Sequence, residues 1–311
     1  MKYVITGGAG FIGSNIVEAL LQKGEEVVVI DDLSTGKLEN IKPFLDRITF
    51  VEGSILDLEL LKRYFKGADY VLHQAAIPSV PRSVADPLAS NEANISGTLK
   101  VLIAARDCGV KRVVCAGSSS AYGDTPTLPK VETMEANPLS PYALTKVAGE
   151  KYCQIFYKIC GIETVVLRYF NVFGPKQDPD SPYAAVIPKF ALATMADKQP
   201  TIFGDGLTSR DFCYIQNVIN ANLLACTAPD VAGEVFNIAC GERTTLLQLA
   251  EKIADHLGKD IKPLHKEERT GDVKHSLADI SKAKRLLGYE VAVSFDAGLK
   301  KTVEWYKEAY K

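Results

Sequence analysis

The chain has 311 residues, 47% of them hydrophobic and 24% charged, and a formal net charge of −2. That length suits one large domain or two modest ones sharing a core, and the near-neutral balance offers no basic field for nucleic acid. No stretch approaches the roughly 20 uninterrupted apolar residues of a membrane span, and the glycine-broken start does not read as a signal peptide.

Seven scattered cysteines without a CxxC pair, and four dispersed histidines, fit reduced thiols in a cytoplasmic protein. A disulfide framework or a metal site is not expected.

The first half alternates short β-branched runs with helix-length segments. Strands are predicted at Tyr3–Thr6, Val27–Asp31, Thr49–Val51, Tyr70–His73 and Arg112–Ala116, and helices at Phe11–Gln22, Leu56–Phe65 and Asn94–Cys108. This alternation predicts an α/β fold with a Rossmann-type, doubly wound parallel sheet. A long helix begins near Pro141, and Glu163–Leu167 extends the sheet after it. Beyond that the pattern is irregular: prolines and polar residues crowd 171–182, and glycines crowd Ile202–Arg210. Helices follow near Thr245–Leu257, Ile280–Leu287 and Phe295–Tyr310. We expect one domain over residues 1–170, completed by segments near 212–240 that include the run Val235–Ile238. A smaller mixed α/β domain is expected mainly over 171–311.

Gly8–Gly13 is a GxGxxG run between a predicted strand and a predicted helix. Glycine lets the backbone turn tightly against a pyrophosphate, whose charge suits a helix N-terminus. Gly7, Gly10 and Gly13, with Phe11 and Ile12 opening the helix, are the candidate cradle. Asp31 ends the second strand 18 residues after Gly13. A carboxylate there binds the adenosine ribose diol and repels a 2′-phosphate, so NAD is expected and NADP is not.

Tyr142 and Lys146 share one helix face at i, i+4, and Ser118-Ser119-Ser120 closes a strand. A free phenol titrates near about pH 10, too high for a base at neutral pH. The Lys146 ammonium and the positive nicotinamide ring favour phenolate, and a strand-end serine hydroxyl can share the reacting proton.

In order, the chain carries TGGAGFIG, HQAA (73–76), SSSAYG (118–123), SPYALTK (140–146), LRYFNVFGP (167–175), GDGLTSRDF (204–212), RTGD (269–272) and ADISKA (278–283). With these motifs over nearly its whole length it resembles the extended short-chain dehydrogenase/reductase family, and within it the UDP-hexose 4-epimerases. The resemblance implies that Tyr142 takes the 4-hydroxyl proton while C4 gives hydride to NAD, which stays bound. Lys146 holds the nicotinamide ribose, Ser118 matches the catalytic serine, and Asn94 lies near the active-site helix. Asp32, Ser54, Ile55, Gln74, Ala75, Ala76 and Tyr169 complete the expected cofactor site.

For the UDP-sugar the resemblance implies Ser118, Ser119, Asn171, Ala185, Val186, Thr201, Phe203, Arg210, Arg269 and Ser276. Two guanidinium groups, Arg210 and Arg269, suit bidentate recognition of a diphosphate. Small residues stand at Ser276 and Ala185, where glucose-type epimerases carry tyrosine and asparagine. That leaves room for an acetamido group, so the chain most resembles the UDP-N-acetylglucosamine 4-epimerases. Ser119 and Ser120 stand where dehydratases and decarboxylases carry an acid. Two departures concern the cofactor: Ser54 replaces an acidic adenine contact, and Pro78 replaces a lysine. UDP-glucuronate 4-epimerase and a non-catalytic NAD-binding regulator are the alternative readings. A homodimer through the helices 94–108 and 142–160 is also implied.

Overall fold

The central sheet begins with β1 (Lys2–Thr6), β2 (Glu26–Asp31), β3 (Thr49–Glu52), β4 (Tyr70–His73), β5 (Arg112–Ser118) and β6 (Glu163–Tyr169). The structure is a computed structural model that describes residues 1–179, 185–268 and 274–310. Short strands follow as β7 (Val172–Phe173), β8 (Thr201–Phe203), β9 (Ser209–Arg210) and β10 (Cys213–Tyr214). Then come β11 (Val235–Ile238), β12 (Thr244–Thr245) and β13 (Leu264–Lys266). The seven-stranded sheet is parallel throughout, in the order β11-β6-β5-β4-β1-β2-β3. Strand order reverses between β1 and β4, and the crevice beyond the carboxyl ends of those strands is where such sheets bind ligands.

Period two along each strand feeds two cores. Tyr3, Ile5, Val27 and Val29 enter one, and Val4, Val28 and Ile30 enter the other. With both faces covered, the strands read as continuous apolar runs. The helices are α1 (Phe11–Gln22), α2 (Leu58–Phe65), α3 (Val80–Ala85), α4 (Pro87–Asn91), α5 (Gly97–Asp107) and α6 (Pro141–Cys160). They continue as α7 (Val186–Met195), α8 (Ile215–Thr227), α9 (Leu246–Leu257), α10 (Ser281–Leu287) and α11 (Phe295–Ala309). Local chemistry sets the ends of α6: the Ser140 side chain accepts from the Ala143 amide at 3.1 Å, and Pro141 opens the first turn. Gly161 at φ +71° closes it in a conformation that other residues avoid. No helix among the described residues is long and apolar enough to cross a membrane.

Several elements depart from the sequence reading, the unpredicted helices α3, α4 and α7 among them. The predicted helix Asn94–Cys108 opens with a wide π-type turn, Glu92–Ser96, before α5. Helix α8 was not foreseen, because two of its buried positions are asparagines that break the apolar periodicity. Asn217 exchanges hydrogen bonds with the Val293 backbone, and Asn222 bonds the Val218 carbonyl and the Tyr169 hydroxyl.

Candidate active site

At the end of β1 the chain turns on Gly7, whose φ is +71°. A Cβ there would sit 2.6 Å from the Ala75 amide nitrogen, and one on Gly13 would strike the Gly7 carbonyl. Only glycine admits this approach between the turn, the first residues of α1 and the exit of β4. Asp31, at the end of β2, accepts from the Ala9 and Leu33 amides, each at 2.9 Å. Its carboxylate therefore fastens the glycine turn as well as facing the cleft, and burial raises its pKa against those two bonds.

The turn opens into a cleft of about 930 Å³. All the cofactor candidates line it: Gly7, Gly10, Phe11, Ile12, Gly13, Asp31, Asp32, Ser54, Ile55, Gln74, Ala75, Ala76, Tyr142, Lys146 and Tyr169. Backbone amides around Gly10–Gly13, a carboxylate at the strand end and a cleft of this size fit a dinucleotide.

A buried relay ties the turn to the helix that carries Tyr142. His73 Nδ1 lies 2.7 Å from Thr6 Oγ1, and Nε2 lies 2.9 Å from Thr98 Oγ1. The Thr98 hydroxyl gives its own proton to the Asn94 carbonyl at 2.7 Å. It must then accept from His73, so the imidazole carries its proton on Nε2 and Thr6 donates to Nδ1. Burial, and secondarily the charge of Lys146, push His73 down to about 3, so it stays neutral. Asn94 continues the chain of bonds: Oδ1 accepts from the Ile77 amide at 2.7 Å, and Nδ2 donates to Thr145 Oγ1 at 3.0 Å. Thr145 in turn donates to the Tyr142 carbonyl at 2.7 Å. In the sequence His73 stands out only as part of a motif, and the relay only through Asn94.

Ser118 ends β5 opposite Tyr169 of β6, and its hydroxyl accepts from Ser120 Oγ at 2.8 Å. The Tyr142 amide is held by Ser83 Oγ at 3.0 Å, and Lys146 Nζ donates to the Ala116 carbonyl at 3.0 Å. Burial raises the Tyr142 phenol above its ordinary value, opposed by a hydrogen bond with Ser118. Burial also brings Lys146 down to about 8. In the protein alone, desolvation of the phenolate dominates; the expected lowering by Lys146 and the nicotinamide ring together concerns the protein with its cofactor bound.

The substrate candidates divide. Ser118, Ser119, Asn171 and Ala185 line the cleft with the cofactor candidates. Val186, Thr201, Phe203, Arg210 and Ser276 lie outside that lining, and Arg269 lies outside the described residues. Arg210 and Ser276 are neighbours around β9: the Ser276 amide donates to the Ser209 carbonyl at 3.0 Å, and Arg210 Nη1 donates to the same carbonyl at 3.0 Å. Asn171 reaches toward them, its Nδ2 donating to the Asp211 carbonyl at 3.2 Å. Thr201 and Phe203 stand on β8, paired with β13, and Val186 opens α7. Lys37, Arg82, Lys176 and Asp178 also line the cleft and were not foreseen. They come from loops and a short helix whose sequence carries no periodic signal.

Comparison with known proteins matches residues 3–239 to the model of the NAD dependent epimerase/dehydratase family. The chain is 38% identical to UDP-glucose 4-epimerase of Mycolicibacterium smegmatis, over 99% of each protein. It superposes with a TM-score of 0.95 on a UDP-N-acetylglucosamine 4-epimerase from Methanobrevibacter ruminantium, solved with UDP-N-acetylmuramic acid. That pair is 43% identical, covering 99% of this chain and 98% of the other. UDP-glucuronic acid 4-epimerase from Bacillus cereus, solved with UDP-glucuronic acid and NAD, gives a TM-score of 0.92 at 35% identity, with both chains fully covered.

Proposed function

This chain belongs to the NAD-dependent epimerase/dehydratase family, and on that premise we propose that it interconverts UDP-N-acetylglucosamine and UDP-N-acetylgalactosamine. UDP-glucose and UDP-galactose are further substrates in this reading, and the reaction is a transient oxidation at C4. The observation that carries it is the continuity of one cleft from Asp31 and the glycine turn, past Ser118, Tyr142 and Lys146, to the small side chain of Ala185. Similarity to an epimerase of UDP-N-acetylglucosamine supports the choice of sugar, as does the small residue at Ser276.

In this reading NAD is held by the glycine turn, Asp31 and Lys146, and when bound it supplies a reversible hydride acceptor. Tyr142 accepts the proton of the 4-hydroxyl and returns it after the sugar has turned over. Ser118, whose hydroxyl opposes the rise in that phenol's pKa, steadies the reacting oxygen. Serines at 119 and 120 provide no acid for elimination, which favours plain epimerisation. Arg210 and Arg269 take the diphosphate, Asn171 supports it, and Val186, Thr201 and Phe203 form the uridine side. Residues after 170, apart from the segments near 212–240, would supply the sugar-nucleotide domain. Exposed Leu144, Ile155 and Ile159 along α6, the last 79% accessible, support pairing of two copies through that helix.

Purified protein incubated separately with UDP-N-acetylglucosamine, UDP-glucose and UDP-glucuronate, with the C4 epimers resolved chromatographically, tests the reading. Epimerisation of the first is expected. Turnover of UDP-glucuronate alone, or of none, overturns it.

A further inference from the structure

Four cations line the cleft among the described residues: Lys37, Arg82, Lys146 and Lys176. Lys37 pairs with Asp178 at 2.9 Å, and Lys176 pairs with Glu18 at 2.8 Å. Lys146 donates to a carbonyl. The guanidinium of Arg82 has no side-chain or carbonyl partner among the described residues, although it sits in a cleft that also presents Asp31 and Asp32.

Its placement is fixed by the backbone on both sides. Ile77 is clamped by Asn94, which accepts from its amide at 2.7 Å and donates to its carbonyl at 3.2 Å. The Ser79 hydroxyl accepts from the Arg82 amide at 3.2 Å, starting α3. One residue further, buried Ser83 receives the Tyr142 amide at 3.0 Å. The backbone that carries the cation is held between two such anchors, so that segment need not be ordered when a ligand binds.

The course of the segment that carries Arg82 bears on which ligand that is. The segment leading to Arg82 leaves β4 directly against the glycine turn, so close that a Cβ on Gly7 would meet Ala75 and Gln74 backbone. Ala93, Ile55 and Leu56 line the same cleft, and Ile55 packs near α5, where a Cβ on Gly97 would meet it. Asn171 and Ala185, the sugar-side candidates, come from the segment after β6. We propose that Arg82 is a ligand of the cofactor's pyrophosphate, closing over the phosphates from the side opposite the N-terminus of α1. A guanidinium fork matches a diphosphate in charge and in geometry. The inference rests on the family's cofactor and is independent of which sugar is the substrate.

The test uses protein freed of bound nucleotide and titrated with NAD, ADP-ribose, adenosine and UDP. Arg82→Ala is expected to weaken NAD and ADP-ribose equally, by roughly 10–100-fold, and adenosine by less than about twofold, since adenosine lacks the phosphates. Arg82→Gln, which keeps a polar stem, should show the same split if the alanine variant folds poorly. Arg82→Lys, which keeps the charge without the fork, should fall between. The dependence of NAD affinity on salt should also flatten in Arg82→Ala, because exposed charge pairing is screened. Unchanged affinity for ADP-ribose overturns the proposal. So does a parallel loss of adenosine, which would make Arg82 a packing residue, and so does a loss confined to UDP, which would place the guanidinium on the substrate.

Discussion

The cleft and the substrate candidates outside its lining are built from different material. Around the glycine turn, side chains are fixed by bonds between residues far apart in sequence: Asp31 to Ala9, His73 to Thr6 and Thr98, and Asn94 to Ile77 and Thr145. Each of these residues stands on, or within a turn of, an element of the seven-stranded sheet and its covering helices. Outside its lining, Thr201, Phe203 and Arg210 stand on strands of two or three residues, β8 and β9, paired with the equally short β13 and β12. Chemistry that must be done identically on every substrate belongs on the first kind of frame. Choice among substrates belongs on the second, where side chains can change without disturbing the sheet.

The largest expected effect lies in the cleft. Tyr142→Phe removes the proposed proton acceptor but leaves Ser83, Thr145 and Asn94 in place, since they bond the backbone of residue 142 or its neighbours. Turnover should fall on the order of 10²–10⁴-fold, with NAD content and melting temperature close to those of the parent. Steady-state kinetics beside a nucleotide assay decide it. Near-normal turnover would show that the phenol is not the base.

A smaller effect is expected outside its lining. Ser276→Tyr places a ring beside Arg210, through the β9 contact at Ser209, without touching the relay. Overlap between ring and acetamido group should cost at least about 1–3 kcal/mol. The ratio of kcat/KM for UDP-N-acetylglucosamine over UDP-glucose should fall accordingly, while UDP-glucose turnover persists. A ratio that does not move would mean that position 276 does not wall the sugar, and the contrast between the two regions would lose its functional meaning.

How far the sequence was legible follows the same divide. The glycine turn, Asp31, the Tyr142/Lys146 pair and Ser118 are local signals: fixed spacing next to a strand end or on one helix face, so the elements that carry them could be read from a few residues. The partners of His73 could not, since Thr6 and Thr98 meet it only once β1, β4 and α5 are packed. Arg82 was invisible for a related reason, because α3 is six residues long and carries no apolar period. Asn217 and Asn222 hid α8 by placing polar groups where the core pattern demands apolar ones. The part that burial plays at Tyr142 has no sequence signature, unlike a neighbouring lysine.

The relay leads to the smallest and most specific prediction. His73 is neutral in the folded protein down to about pH 3, whereas in the unfolded chain it titrates near about 6.5. Between those values the unfolded chain binds the extra proton, so the contribution of His73 to stability is complete above about pH 6.5 and is lost as pH falls toward 3. The slope approaches about 1.4 kcal/mol per pH unit. Another buried group works against it: Asp211, raised to about 6 by burial, takes up its proton earlier when folded, and so adds stability as pH falls from 6 toward its unfolded value. The acid limb of the parent alone is therefore a sum of opposing parts, and the difference between parent and variant is what isolates His73. His73→Gln can still donate to Thr98 but cannot titrate. Its stability deficit, measured by urea unfolding, should be largest at neutral pH and shrink by about 2 kcal/mol on going to about pH 5. A deficit that stays constant across that range would mean His73 protonates as easily folded as unfolded. The cleft would then owe nothing to a buried neutral imidazole.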